Sequence, residues 1–163
     1  MTHPIVITVR NFNNDPYATF SFSVMTPQDA ITALENYFNI DNKKGPKMKE
    51  TVLSIAKWHQ ETFPDATMED QLRKFDEEME EYDRTPTFEE LADMFIVACG
   101  LCRFDMVVAM SYMTIVATAL NERKEIYAST VFPNKVDEKM AKNRKRTWEK
   151  TQYGNYHHTN TED

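Results

Sequence analysis

Lys74, Glu78 and Glu81 stand at i, i+4 and i+7, so a helical period places one ammonium and two carboxylates on a single stripe beside an apolar face. Glu77 points further from that stripe. After a short break, Glu90 and Asp93 follow at i and i+3, and their stripe continues into Val97, Gly100 and Leu101, so both acids are expected to face inward. Carboxylates converging between antiparallel helices repel one another and lose hydration. They must be protonated, paired with bases or neutralised by a metal, and a divalent cation is the simplest answer. Glu78, Glu81, Glu90 and Asp93, with no accompanying Glu-x-x-His, suit Mg2+ or Mn2+ rather than zinc or a di-iron centre. Hard-metal chemistry usually means phosphate chemistry.

A basic segment supplies the complement. Lys139, Asn143 and Arg146 also lie at i, i+4 and i+7, and Asn143 shares a stripe with Val136 and Met140, which points it inward. The cationic edge of that helix can hold phosphates, whereas Lys142, Arg144, Lys145 and Lys150 read as solvated surface. The same opposition appears in the charge distribution. Residues 65–93 hold twelve acids against three bases, and residues 121–150 hold five acids against nine bases.

The elements that must position these residues are mostly helices. Ile5 to Val9 and Thr19 to Val24 alternate in polarity across an Asn- and Pro-bearing stretch, which predicts a hairpin. Thr26-Pro27 reads as a cap and first helical position, with a helix to about Phe38, and residues 39–46 read as a linker. A second helix is expected from about Met48 to Thr62, stopping at Phe63-Pro64. Met68, Leu72, Phe75, Met79 and Tyr82 recur at steps of four and three, the clearest amphipathic helix in the chain. Thr85 or Thr87 caps the next, which runs through Leu101, and so short a connection implies antiparallel neighbours. Arg103 to Asp105 is a turn or a polar interruption. Met106 to Leu120 is apolar on nearly every side and must be buried or face a partner chain, a candidate subunit interface. Pro133-Asn134 is expected to precede a last helix from about Val136 to Lys150, with residues 151–163 a polar tail.

Composition sets the bounds. The 163 residues are 41% hydrophobic and 28% charged, with only 3 Gly and 7 Pro, which fits one globular core and favours helices over a loop-rich sandwich. The net charge of -7 argues against a protein that coats nucleic acid. No window resembles a membrane span and the start lacks the basic region of a signal peptide, so the expected location is the cytoplasm. Cys99 and Cys102, the two cysteines, sit in an apolar run and are expected to be buried reduced thiols.

Lys74-Phe75-Asp76-Glu77-Glu78-Met79-Glu80-Glu81 followed by Glu90-Leu91-Ala92-Asp93 resembles the E-E-x-x-E…E-x-x-D signature of MazG-like all-α nucleoside triphosphate pyrophosphohydrolases. Lys139 to Trp148 resembles the K-x-x-x-N-x-x-R-x-W segment of many relatives. The resemblance spans roughly Met48 to Trp148. It implies a mainly α antiparallel bundle over residues 47–150, carrying a hairpin-and-helix extension over residues 1–46 that has no counterpart in the family pattern. It also implies Mg2+ ligands at Glu78, Glu81, Glu90 and Asp93, with Glu77 supporting them or the attacking water. Lys74, Lys139, Asn143 and Arg146 would then hold substrate. The implied reaction is attack of water on the α-phosphorus of a nucleoside triphosphate, a dNTP above all, giving the monophosphate and pyrophosphate in a homodimer or homotetramer.

Base recognition usually combines an aromatic face with polar groups, for which Trp58, Tyr112 and Trp148 are candidates, although each is individually a common kind of core residue. His157 and His158, beside Tyr153 and Tyr156 near the end, receive no role. Two other readings stay open: a phosphoribosyl-ATP pyrophosphatase, and a non-catalytic helical module that oligomerises and binds nucleotides.

Overall fold

The two alternating runs form an antiparallel pair, β1 (Ile5–Arg10) and β2 (Pro16–Phe22), in which Ile5 pairs with Phe22 and Val9 with Ala18 before the register shifts. The computed structural model describes residues 5–10, 16–22, 26–39, 48–123, 128–151 and 156–159. Val24, Tyr153 and most of the expected linker lie outside them. The remainder is mainly helical. Among the described residues no helix is long and apolar enough to cross a membrane.

Helix α1 (Pro27–Asn39) begins where Thr26 and Asp29 cap each other, the Thr26 hydroxyl accepting the Asp29 amide at 3.2 Å. Helix α2 (Val52–Thr62) starts later than the apolar spacing suggests. Its cap is Thr51, boxed with Ser54, while the amides of Lys49 and Glu50 are taken by the Asp137 carboxylate at 2.9 and 3.0 Å. Lys49 and Glu50 are thereby committed to a later helix. The amphipathic run forms α3 (Met68–Arg84), opened by a Thr67–Asp70 capping box. Thr87, not Thr85, caps α4 (Phe88–Gly100), and a single 3-10 turn, Leu101–Arg103, leads to α5 (Met106–Glu122), which Asp105 caps.

Helix α4 is the axis of the core. It packs against α2, α3, α5 and α6, and from Met94 to Gly100 every residue is buried, as a helix apolar on all sides requires. Phe95 meets Phe38 of α1 at 4.6 Å and Phe132 at 5.6 Å, joining three helices through one ring cluster. Helix α5 buries Met110, Met113, Val116 and Ala117, lies beside α1, α4 and β1, and leaves Val107 48% exposed.

The last part of the chain departs from expectation at both ends. Helix α6 spans Ala128–Lys145, so Pro133 lies inside it rather than before it. Pro133 removes one amide donor, but Phe132, Val136 and Met140 are fully buried, and that packing holds the turn in place. The helix ends at Lys145, where the Asn143 carbonyl accepts both the Arg146 amide at 3.3 Å and the Trp148 indole at 3.2 Å. Residues 148–150 form strand β3 (Trp148–Lys150), paired antiparallel with β4 (Tyr156–His158). The expected polar tail is thus partly a second hairpin.

Candidate functional site

Helices α3, α4 and α6 enclose a cleft of about 610 Å3, closed on one side by α2 and by β3 and β4. The Thr67–Asp70 capping box, the Thr87 cap and the short 85–87 connection set α3 against α4, which brings the two acidic stripes together. Oxygens of Glu78, Glu81 and Glu90 all lie within 4.8 Å of one another, with Glu78 buried, Glu90 half-buried and Glu81 exposed. Asp93 lines the same cleft outside that triplet, its carboxylate 2.6 Å from Lys139 Nζ on α6. The structure therefore assembles three of the four expected carboxylates and gives the fourth to a lysine.

Pairing with bases, one of the ways open to converging acids, is used twice. Lys74 Nζ lies 2.7 Å from Glu78 and 3.4 Å from Glu77, one turn away on α3. Burial still pushes the Glu78 carboxyl above its ordinary range, with Asp93 and Glu81 adding to the rise against the pull of Lys74. The Glu90 carboxyl is raised by burial and by Glu81 and Glu78, and the Asp93 carboxyl by burial and Glu90 against Lys139. Burial opposes the charged forms of Lys74 and Lys139, yet the carboxylates beside them raise both ammonium groups overall. Acid and base rise together because burial raises the acids, while the several carboxylates around each lysine raise the bases. The acidic side is under-neutralised.

Across the cleft, Asn143 is buried as its stripe requires and accepts from Arg146 at 3.1 Å, and Lys142, expected to be solvated surface, joins the lining. Lys142, Arg144 and Lys150 all remain exposed, as expected, and the last two pair with acids at the surface. Arg144 forks onto Glu50 with two 2.9 Å bonds, and Lys150 reaches Asp65 at 2.7 Å. Of the aromatic candidates, Trp58 and Trp148 line the cleft, whereas Tyr112 meets Phe75 edge-on at 4.8 Å and is absent from the lining.

Several lining residues carried no sequence signal. His59 is 4% exposed, with Nε2 on the Ile96 carbonyl at 2.9 Å, and burial lowers its pKa to about 4, so the ring is neutral. Gln71 donates to the Val97 carbonyl at 2.8 Å, and Gly100 leaves the room both need: an added Cβ would lie 2.8 Å from the His59 ring. Arg103 donates to the carbonyls of His59, Phe63 and Ala66 at 2.8, 2.8 and 3.0 Å, pinning the end of α2 against the cleft. Cys99 and Cys102 are both free thiols, and burial pushes the Cys102 thiol up to about 12. They are inert packing groups.

No family model matches this chain, and no curated protein or solved structure matches it significantly.

Proposed function

We propose that the chain is a Mg2+-dependent nucleoside triphosphate pyrophosphohydrolase, folded as the all-α bundle that its motifs resemble. The carrying observation is one cleft in which Glu78, Glu81 and Glu90 converge opposite Lys139, Asn143 and Arg146. Acids alone would be a solvated face; acids opposed by bases across a cleft can take a polyanion together with its counter-cations.

The donor set fits the metal. Three carboxylates of graded exposure, one buried and under-neutralised, form an all-oxygen environment suited to a hard cation. Glu78, Glu81 and Glu90 would hold it, with Asp93 joining once Lys139 turns to substrate. Bound divalent cations supply charge neutralisation for the triphosphate and a more acidic attacking water.

The remaining work falls to the chain's own groups. Lys74 and Lys139, each already charged and beside the acids, exchange carboxylate partners for phosphate oxygens as substrate enters. Arg146 and Asn143 hold the polyphosphate from α6. Glu77, at the cleft edge, accepts the proton of the water that attacks the α-phosphorus. Pyrophosphate leaves, and no covalent intermediate on the chain is required. Hydrolysis in 18O-labelled water tests this directly: label appears in the monophosphate under attack at the α-phosphorus, whereas label in pyrophosphate overturns it.

A further inference from the structure

We propose that the C-terminal hairpin, β3 and β4, is the wall on which the base of the bound nucleotide stacks, and that Asp65 is the latch that sets this wall against the cleft. The inference rests on reading the cleft as a nucleotide site. The cleft is polarised. Its charged part is built from α3, α4 and α6, and the side formed by α2 and the hairpin is aromatic, with Trp58, Phe63, Trp148, Tyr156 and His158 all in the lining. A molecule anchored by phosphates among the charges has its remaining volume against those rings, and a cleft of about 610 Å3 accommodates both parts.

The rings form one continuous surface. Phe63 packs on Trp148 at 5.2 Å and 87° and on Tyr156 at 4.7 Å, while Trp148 meets Trp58 and His158 at 5.9 Å in edge-on contacts. Such a surface tolerates any base, since every base has a π-face.

Two strands of three residues have little stability of their own and must be held from outside. Asp65, in the turn between α2 and α3, takes Lys150 Nζ at 2.7 Å from β3 and the Tyr156 hydroxyl from β4. One carboxylate thus ties both strands to the turn that follows Phe63. Further along the chain, Thr159 donates to the Thr147 carbonyl at 2.9 Å and closes the pair. Asp65 touches neither metal nor phosphate in this account; it is a positioning residue.

The test reads binding apart from turnover. Trp58 and Trp148, the two tryptophans, both lie on the wall, so intrinsic fluorescence reports on it. Wild type is titrated in Mg2+ with α,β-methylene analogues of the four common nucleoside triphosphates, and binding of inorganic tripolyphosphate is measured by calorimetry. The expected result is a saturable quench with at least one base, a smaller quench in Trp148→Phe, and nucleotide affinity at least tenfold weaker in Asp65→Ala. Tripolyphosphate affinity should change less than twofold in Asp65→Ala, and Asp65→Glu should recover part of the nucleotide affinity. A quench absent for every base overturns the proposal, as does an Asp65→Ala variant that binds nucleotide as wild type does or loses both ligands equally. Turnover of the hydrolysable nucleotides is scored separately, so failure of hydrolysis with an intact, latch-dependent quench strikes the enzymatic reading and leaves the wall standing.

Discussion

Lys139 Nζ lies 2.6 Å from Asp93 Oδ2, tying the basic helix α6 to the acidic helix α4 through the one expected carboxylate that stands outside the Glu78, Glu81 and Glu90 triplet. The pair holds the cleft together before any ligand arrives. Replacing Lys139 by Met leaves the Asp93 charge partly buried without its partner, and the side chains are only 24% and 22% exposed, so a loss of about 1–2 kcal/mol is expected. Urea unfolding midpoints check this, with Lys139→Met/Asp93→Asn expected to recover part of the loss. A single variant as stable as wild type would show that the contact contributes nothing.

Metal should stabilise the fold through the acidic triplet. Mg2+ at 100 times its dissociation constant adds about 2.7 kcal/mol, which raises Tm by roughly 5–10 °C for a chain of this size. The near-isosteric Glu81→Gln and Glu90→Gln variants should lose most of that rise, measured by calorimetry with and without chelator. Variants that respond to Mg2+ as fully as wild type would remove these two acids from the site.

His59 makes stability depend on pH. Its folded pKa of about 4 lies below its ordinary 6.5, so between those values the unfolded chain takes up a proton that the folded chain refuses. Stability is complete above pH 6.5 and falls as pH drops towards 4, by up to ~3 kcal/mol at about 1.4 kcal/mol per pH unit. In His59→Gln the slope across this window should flatten. An unchanged slope in denaturation series at pH 7, 6 and 5 would assign it to other groups.

Gly100 tests how tightly the cleft floor is packed. An alanine methyl would overlap the Gln71 amide and press on the His59 ring, and both are held by bonds to α4 carbonyls, so neither moves cheaply. Gly100→Ala is expected to cost about 1–3 kcal/mol, read from thermal unfolding, even though alanine favours helix. A stabilised variant would mean that the two polar side chains swing away.

What the sequence revealed follows from how local each signal is. The steps of four and three from Met68 to Tyr82, the Thr87 cap and the i, i+4, i+7 spacing of Lys74, Glu78 and Glu81 are set within one or two turns, and the structure reproduces them. His59 and Gln71 were hidden because a polar residue reads as surface, and only α4 carbonyls 37 and 26 positions away make it buried. Pro133 looked like a boundary, since the packing of Phe132 and Val136 that overrides it comes from other helices. The C-terminal hairpin has almost no pattern of its own, and its anchor, Asp65, lies 85 and 91 positions before Lys150 and Tyr156. The acidic half of the cleft was legible from helical periodicity, whereas of the aromatic half only Trp58 and Trp148 were named, because their joining with Phe63, Tyr156 and His158 depends on contacts between distant segments.

Pyrophosphate release from a panel of ribo- and deoxyribonucleoside triphosphates with Mg2+, phosphoribosyl-ATP included, distinguishes wild type from Glu78→Gln if the acidic triplet is catalytic. Glu78 is the buried member of the triplet, and its amide keeps the side chain's size while removing the charge. Wild type is expected to release pyrophosphate from at least one nucleotide, and Glu78→Gln to lose at least a hundredfold at unchanged helix content. Silence of the wild type across the panel, or turnover by Glu78→Gln at the wild-type rate, would contradict a catalytic role for the triplet.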